Sequence, residues 1–268
     1  MVDQPIIMGV LNITPDSFSD GGLFLEAQSA IDQAILMVEQ GADIIDIGGE
    51  STRPGAPEVS AEDELKRVLP VIEALSGNID IPISIDTSKP VVMEKAFDAG
   101  ASIINDVYAL RSNGALEMAA SLGADVCLMH MQGNPRTMQK NPKYDDVVSD
   151  VKFFFKERLE ACSGVGIKLE SITLDPGFGF GKNLAHNIAL LKNLAEFHDF
   201  GVSILAGLSR KSMIGSLLGD KEVDSRMIGS VTAALIAVEN GANIIRAHDV
   251  AETKDALTVW QQIKHFRE

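Results

Sequence analysis

The chain has 268 residues, 46% of them apolar and 5% aromatic, with a formal net charge of −15. That length suits one large α/β barrel or two smaller domains. So acidic a surface excludes non-specific binding to nucleic acid, although a small anion can still be held where cations cluster locally.

In chain order, residues 6–12 form a first apolar run that reads as a strand and ends on Asn12. An irregular stretch, 13–25, follows it, and residues 27–40 then carry a helical stripe at Ala30, Ile31, Ala34, Ile35 and Val38. Strand 44–48 leads into a second long loop, 49–60, containing Pro54-Gly55. Ser60, with Asp63 three residues later, is close to a capping box for a helix over 61–75. Strand 83–86 precedes Pro90, which can open a helix ending near Ala99. Strands 103–106 and 126–129 come next, then a third long loop, 131–144, and a helix over 147–162. Strand 172–175, helix 188–194, strand 204–208, helix 227–239, strand 244–248 and a last helix over 251–266 complete the chain.

Four αβ joins repeat one phrase: Gly41-Ala-Asp-Ile-Ile, Gly100-Ala-Ser-Ile-Ile, Gly123-Ala-Asp-Val and Gly241-Ala-Asn-Ile-Ile. Glycine after a helix takes the left-handed conformation that closes it, and a short β-branched run suits a strand buried on both faces. Eight strands alternating with about eight helices predict a single-domain (β/α)8 TIM barrel over 1–268, with a doubly wound sheet as the alternative. The three long loops all follow strand C-termini, the face on which barrels carry chemistry, and the first two read as candidate mobile lids.

Cys127 lies inside an apolar run and Cys162 inside a helical one, which gives no disulfide framework and fits a reducing compartment. The opening Met1-Val-Asp-Gln-Pro lacks the pattern of a secretory leader, and no apolar run approaches the length of a membrane span. A cytoplasmic protein without a membrane partner is therefore expected, and the Asn12-Ile-Thr sequon is discounted.

The strand tips hold the chemistry. Asn12 suits a hard cation such as Mg2+, a phosphate, or simply an Asx turn. Thr52 and Arg53 follow Gly48-Gly49 and suit an anion, but an ordinary Gly-Pro turn is the simpler reading of that loop. Asp86, Asn105-Asp106 and Asp175 are acceptor-bearing tips that can either cap helices or together read a flat heterocycle rich in N–H donors. A carboxylate in a closed pocket needs such a partner. Ser209-Arg-Lys211-Ser and Arg246-Ala-His248-Asp put cations after strands seven and eight, a frequent phosphate site in barrels. Gly177-Phe-Gly-Phe-Gly-Lys182 lacks Walker spacing, and Gly207-Leu-Ser209 lacks the second glycine of a nucleophile elbow. The five histidines show no zinc spacing. His186, His198 and His265 read as surface residues, and His130 as a core or capping residue that can also orient the fifth strand's loop.

The segments around Asn12-Ile-Thr-Pro-Asp-Ser-Phe-Ser-Asp-Gly-Gly, Gly-Gly-Glu-Ser-Thr52-Arg-Pro-Gly, Ser-Ile-Asp86-Thr, Ile-Asn105-Asp, Asp175-Pro-Gly-Phe-Gly-Phe-Gly-Lys, Ser-Arg-Lys211-Ser and Arg246-Ala-His248-Asp closely resemble the dihydropteroate synthase family, in order, from residue 6 to about 250. The resemblance implies a pterin-binding barrel in folate biosynthesis, joining 6-hydroxymethyl-7,8-dihydropterin diphosphate to p-aminobenzoate. It also implies Mg2+, a cytoplasmic homodimer and sulfonamide sensitivity. Carried over by residue, Asp86, Asn105, Asp175 and Lys211 become the pterin-reading set. Asn12 contacts Mg2+ and diphosphate, and Arg246 and His248 anchor the diphosphate, joined by Thr52. Phe18, Arg53, Pro54, Phe180, Lys211 and Ser212 surround p-aminobenzoate. Asp86, Asp175, Lys211, Arg246 and His248 are then the catalytic candidates, in an SN1-like displacement. A methyltetrahydrofolate-dependent methyltransferase and a non-catalytic pterin-binding module are the rivals. Neither accounts for both the cation cluster and the Ser-Thr52-Arg53-Pro54 loop.

Overall fold

The structure is a computed structural model that describes residues 4–13, 22–51, 56–134 and 137–266, with side chains in the first helix from Ala27 onward. Eight parallel strands close into a barrel in sequence order: β1 (Ile6–Asn12), β2 (Ile44–Gly48), β3 (Ile83–Asp86), β4 (Ile103–Asp106), β5 (Asp125–Met129), β6 (Ile172–Asp175), β7 (Ser203–Ala206) and β8 (Ile244–Ala247). Closure is direct, with Ile6 of β1 opposite Ile244 of β8. The helices are α1 (Gly22–Glu39), α2 (Ala61–Ser76), α3 (Pro90–Ala99), α4 (Ala115–Leu122), α5 (Val147–Gly164), α6 (Leu184–Lys192), α7 (Ser212–Leu217), α8 (Met227–Glu239) and α9 (Val250–Lys264).

The expected barrel is present, and the strand bounds differ by no more than two residues. The larger differences lie in helices. α1 starts at Gly22, so the first loop is shorter than its apparent span, and α6 starts at Leu184, where Asn183 and His186 form a reciprocal capping box. Leu194 belongs to a separate 3-10 segment, Leu194–Phe200. α7 is a short extra helix that the six-residue stripe was too brief to announce. The four repeated glycines all have positive φ: 95° at Gly41, 120° at Gly100, 63° at Gly123 and 105° at Gly241. They end α1, α3, α4 and α8 and turn the chain into the next strand, as the repeat predicts.

The main core fills the layer between sheet and helices. α2 shows the logic: its apolar spacing buries Val68, Val71, Ile72 and Leu75 completely, while Ser60 caps its first turn by accepting from the Asp63 backbone N–H at 3.1 Å. A smaller apolar layer plugs the barrel itself, made of Met8, Ile44, Cys127, Leu205 and Ile244 with Ile103 against them. Side chains two residues further along each strand stand above that plug, and they form the floor of the open end.

Candidate active site

Strand parity decides which polar tips reach the interior. On β4, Asn105 shares a side with the plug residue Ile103, whereas Asp106 points the other way. Asp106 accepts backbone N–H groups of Tyr108 and Leu110, both at 2.8 Å, and so folds the turn after β4. Burial pushes its carboxyl up to about 6, against those two bonds. Of the Asn105-Asp106 pair, only Asn105 belongs to the site.

By the same parity Asp46, two residues after the plug residue Ile44, faces inward and is fully buried. Arg246 donates from Nε to Asp46 Oδ2 at 2.6 Å and from Nη2 to Asp86 Oδ2 at 2.9 Å. Ser84 Oγ donates to Asp46 Oδ1 at 2.6 Å, and Asn105 Nδ2 donates to Asp46 Oδ2 at 3.0 Å. A carboxylate only accepts, so it fixes the Asn105 amide with its NH2 toward Asp46 and its oxygen left as an acceptor. Two carboxylates share one guanidinium here, which leaves an excess of negative charge and acceptor oxygens. Burial pushes the Asp86 carboxyl up while Arg246 pulls it down. Burial opposes the charge on Arg246, but Asp46 and Asp86 outweigh it and hold the guanidinium above its ordinary value. Asp46 was legible as a polar strand residue; its inward parity was the signal that marks it as part of the floor.

The opposite side of the mouth is built differently. Asp175 Oδ1 accepts from the Gly177 N–H at 2.7 Å. Gly207 carries no side chain, and the place a Cβ would occupy lies 3.7 Å from Lys211 Nζ and 3.9 Å from both Asp175 Oδ2 and Arg246 Cβ. The two halves of the floor meet over this bare backbone. Lys211 Nζ donates to the Phe178 carbonyl and sits 4.6 Å from the Phe180 ring centroid, within cation–π range. Burial pulls the Lys211 ammonium down to about 8, with Asp175 opposing. Burial also raises Asp175, against Lys211 and the Gly177 N–H.

Lys211 is aimed inward by a left-handed residue, Arg210, at φ +58°. Three bonds over-determine that conformation. The Arg210 N–H reaches Ser230 Oγ at 2.8 Å, its carbonyl accepts from Arg226 at 3.0 Å, and its guanidinium pairs with Asp249 at 2.5 Å. Arg210 is thus a scaffold residue, although it lies beside Lys211 in the cationic motif. His248 Nδ1 is 3.0 Å from Ser209 Oγ, which also accepts the His248 N–H at 3.2 Å.

Asn12, Gly48, Asp86 and Asn105 lie in one register row across β1 to β4. Asn12 is exposed at the rim, and its Oδ1 is 3.6 Å from the position of a Gly48 Cβ. From Asp86 a cleft of about 580 Å³ opens toward Glu50, Lys89 and Tyr108. Lys89 closes its floor with ion pairs to Glu50 and, at 2.5 Å, to Glu64. Ser212 opens α7 and is exposed. Phe18, Thr52, Arg53 and Pro54 lie outside the described residues. His186 is half-buried against Tyr144 with ring centroids 4.9 Å apart, whereas His198 is exposed as expected, with Nε2 2.8 Å from the Gly241 carbonyl.

A parallel barrel whose mouth offers carboxylates and an amide oxygen beside clustered cations defines a pterin-binding enzyme, and the family described as pterin binding enzyme matches residues 8–248. The chain belongs to that family, within its dihydropteroate synthase branch. It is 55% identical over 260 residues to the dihydropteroate synthase of Escherichia coli K12, covering 96% of this chain and 91% of the relative. It is 57% identical over 257 residues to that of Haemophilus influenzae, covering 96% and 93%. The Yersinia pestis dihydropteroate synthase, solved with a sulfonamide drug, superposes with a TM-score of 0.94 at 51% identity, covering 99% of this chain and 96% of that one. The Xanthomonas albilineans enzyme in complex with 7,8-dihydropteroate gives 0.89 at 47%, covering 100% and 96%. The chain is accordingly a transferase of folate biosynthesis.

Proposed function

We propose that the mouth joins 6-hydroxymethyl-7,8-dihydropterin diphosphate to p-aminobenzoate by a dissociative, SN1-like displacement. The observation that carries this reading is the shared guanidinium: Arg246 ties the buried Asp46 to Asp86 and holds the Asp86 carboxylate at the mouth, where it can accept from a flat ring rich in N–H groups. Asp86, the Asn105 oxygen and Asp175 read the pterin edge, and Lys211 sits over its far side. The methylene–oxygen bond breaks with its electron pair going to diphosphate. Cationic character spreads into the electron-rich pterin, where the Asp86 and Asp175 carboxylates stabilise it more than they stabilise the bound ground state. The neutral arylamine nitrogen then forms the C–N bond and loses a proton to water. Arg246 and His248 receive the diphosphate. Phe180 and Ser212 frame the arylamine, and the family resemblance adds Phe18, Arg53 and Pro54 to that set and Thr52 to the diphosphate side.

Mg2+ fits the rim at Asn12. Among the described residues no group of three or more His, Cys, Asp or Glu side chains is placed to hold an ion. The Asn12 oxygen with diphosphate oxygens and water is the kind of set Mg2+ accepts. When bound, the ion would neutralise charge on the leaving group. The reading extends to a cytoplasmic homodimer. Two buried free cysteines and the absence, among the described residues, of any helix long and apolar enough to cross a membrane support the compartment. Ile228 and Ile236 on α8 and Val259 and Ile263 on α9 are exposed apolar side chains on packed neighbours, which supports a partner surface there.

The test is diphosphate release from the pterin substrate, with and without p-aminobenzoate. Formation of 7,8-dihydropteroate is expected, with slower release when the arylamine is left out. No product would overturn the reaction; strict dependence of release on the arylamine, with no trappable cation, would overturn the dissociative step alone. Light scattering at several concentrations checks the dimer.

A further inference from the structure

In the Gly177–Lys182 arch after β6, Lys182 has so far no role in the reaction, and neither has His130 at the exit of β5. Lys182 is almost wholly buried, yet its Nζ lies 2.9 Å from His130 Nδ1, 2.9 Å from the Gly177 carbonyl, 3.0 Å from the Phe180 carbonyl and 3.3 Å from the His130 carbonyl. It therefore points beneath the arch, away from the mouth, and ties three backbone oxygens to one imidazole. Burial and the Lys182 charge push His130 down to about 2, so the ring stays neutral and accepts through Nδ1. The arch rests on the backbone below it: at Gly177, φ +72°, a Cβ would lie 1.9 Å from the His130 carbonyl oxygen. Tyr144 OH donates to the Gly181 carbonyl at 2.8 Å and the Gly179 N–H donates to Asn187 Oδ1 at 2.8 Å, which fixes the far end. On its upper side the arch carries both neutral partners of Lys211, the Phe178 carbonyl and the Phe180 ring.

We propose that Lys182 and His130 are a buried positioning pair that sets the height of this arch and so places Lys211 and Phe180 against the two substrates. The pair works as a bound metal ion does in other folds: burial pulls the Lys182 ammonium well down, but its N–H groups still gather backbone oxygens that would otherwise repel one another. This rests on the reaction proposed above. Three of the five residues of the Gly-Phe-Gly-Phe-Gly arch lack side chains, so its own packing rests mainly on the buried Phe178 ring. Removing the cation lets it rise or relax, and Lys211 then loses the carbonyl and ring that orient it.

The experiment compares wild type with Lys182→Met, which keeps the length of the chain and removes the donor. The readouts are separate KM values for both substrates, kcat, and the alkaline limb of the pH–rate profile. The groups facing Lys211 are Asp175 from β6, Asp86 from β3 and Arg246 from β8, which are retained, and Lys182 itself, so the KM values and the His130→Phe variant, which keeps Lys182, separate positioning from the loss of a nearby charge. We expect folded protein with KM for p-aminobenzoate raised at least tenfold, kcat lowered and the alkaline limb displaced, because the Lys211 ammonium no longer has its two fixed partners. Should Lys182→Met fail to fold, His130→Phe carries the same test. It keeps the edge-on ring contact with Phe154, at 4.9 Å between centroids, and removes only the acceptor; the same changes are expected in smaller degree. A variant that only melts earlier, with KM values and limb unmoved, overturns the proposal. Wild type that makes no dihydropteroate is instead a failure of the proposed reaction.

Discussion

The two sides of the barrel mouth hold charge by opposite means. On the β2–β4 side acids are held by a cation: Asp46 and Asp86 are both paired with Arg246, whose side chain is only 20% exposed. On the β5–β7 side cations are held mainly by backbone carbonyls and rings: Lys182 under the arch and Lys211 above it. The first arrangement is rigid and fails badly when one member is lost, because the remaining charges stay buried without compensation. The second relies on dipoles that cost less when abandoned, so it tolerates truncation and tunes a pKa instead. The difference teaches that one pocket can combine a fixed recognition edge with an adjustable cationic edge.

Arg246→Ala should break the acidic side most severely. It leaves two buried carboxylates facing each other, and we expect unfolding free energy to fall by roughly 3–5 kcal/mol and kcat/KM by about 10²–10³-fold. Denaturant titration and steady-state rates measure both, and diphosphate handling should suffer more than binding of free pterin. A loss of stability below ~1 kcal/mol would show that the acids do not need their cation. Lys211→Ala probes the other side. Turnover should drop about 10²-fold with the melting temperature nearly unchanged, and unchanged kinetics would remove Lys211 from the site.

Asp46→Asn sharpens the comparison further, since it keeps shape and removes one charge. The loss should be about 1.5–3 kcal/mol, the value of a hydrogen bond to a charged group, with weaker pterin binding because Asn105 is no longer obliged to present its oxygen. Calorimetric binding of free pterin to the variant decides this, and wild-type affinity would mean that Asn105 is oriented by other contacts.

The pH–rate profile should be narrow. Asp86 and Asp175 act ionised and burial raises both, so activity falls on acidification from above the ordinary carboxylate range. Lys211 acts protonated and burial lowers it to about 8, so activity falls as pH rises through that value. A profile flat to pH 10 would show that the Lys211 charge is dispensable. The smallest effect belongs far from the mouth. Asp146 caps α5 by accepting from the Val148 N–H at 2.9 Å, and Asp146→Ala should cost about 1 kcal/mol with kinetics intact. A kinetic change there would mean that α5 reaches the site.

Much of this was legible in the sequence. Short apolar runs placed all eight strands, four of them directly after the repeated glycines, because a strand buried on both faces reads as a nearly continuous apolar stretch. Asn105, Asp175 and Arg246 stood out because they lie at or near strand ends, and Lys211 because it lies in the cationic stretch between β7 and α7. Asp46 has no role in the sequence reading, because a buried acid in mid-strand declares itself only through a partner 200 residues away. Lys182 had no role in the sequence either: its loop lacks Walker spacing, and only three-dimensional packing shows the side chain turned under its own backbone. His130 needed Lys182 before it meant anything. The arylamine side rests on Phe180 and Ser212, because Phe18, Thr52, Arg53 and Pro54 lie outside the described residues.

The ion pairs of Arg246 also have a meaning in time. The guanidinium rides on β8, the last strand the ribosome delivers, and its two carboxylate partners arrive on β2 and β3, 200 and 160 residues earlier. Until the eighth strand docks between the seventh and the first, Asp46 and Asp86 have no cation to face and cannot be dried out cheaply. The gap in the barrel therefore stays open to water until β8 has been made and docked. Recognition chemistry and completion of the fold become a single event, so a chain cut short before β8 offers no half-formed pocket in which to trap a ligand.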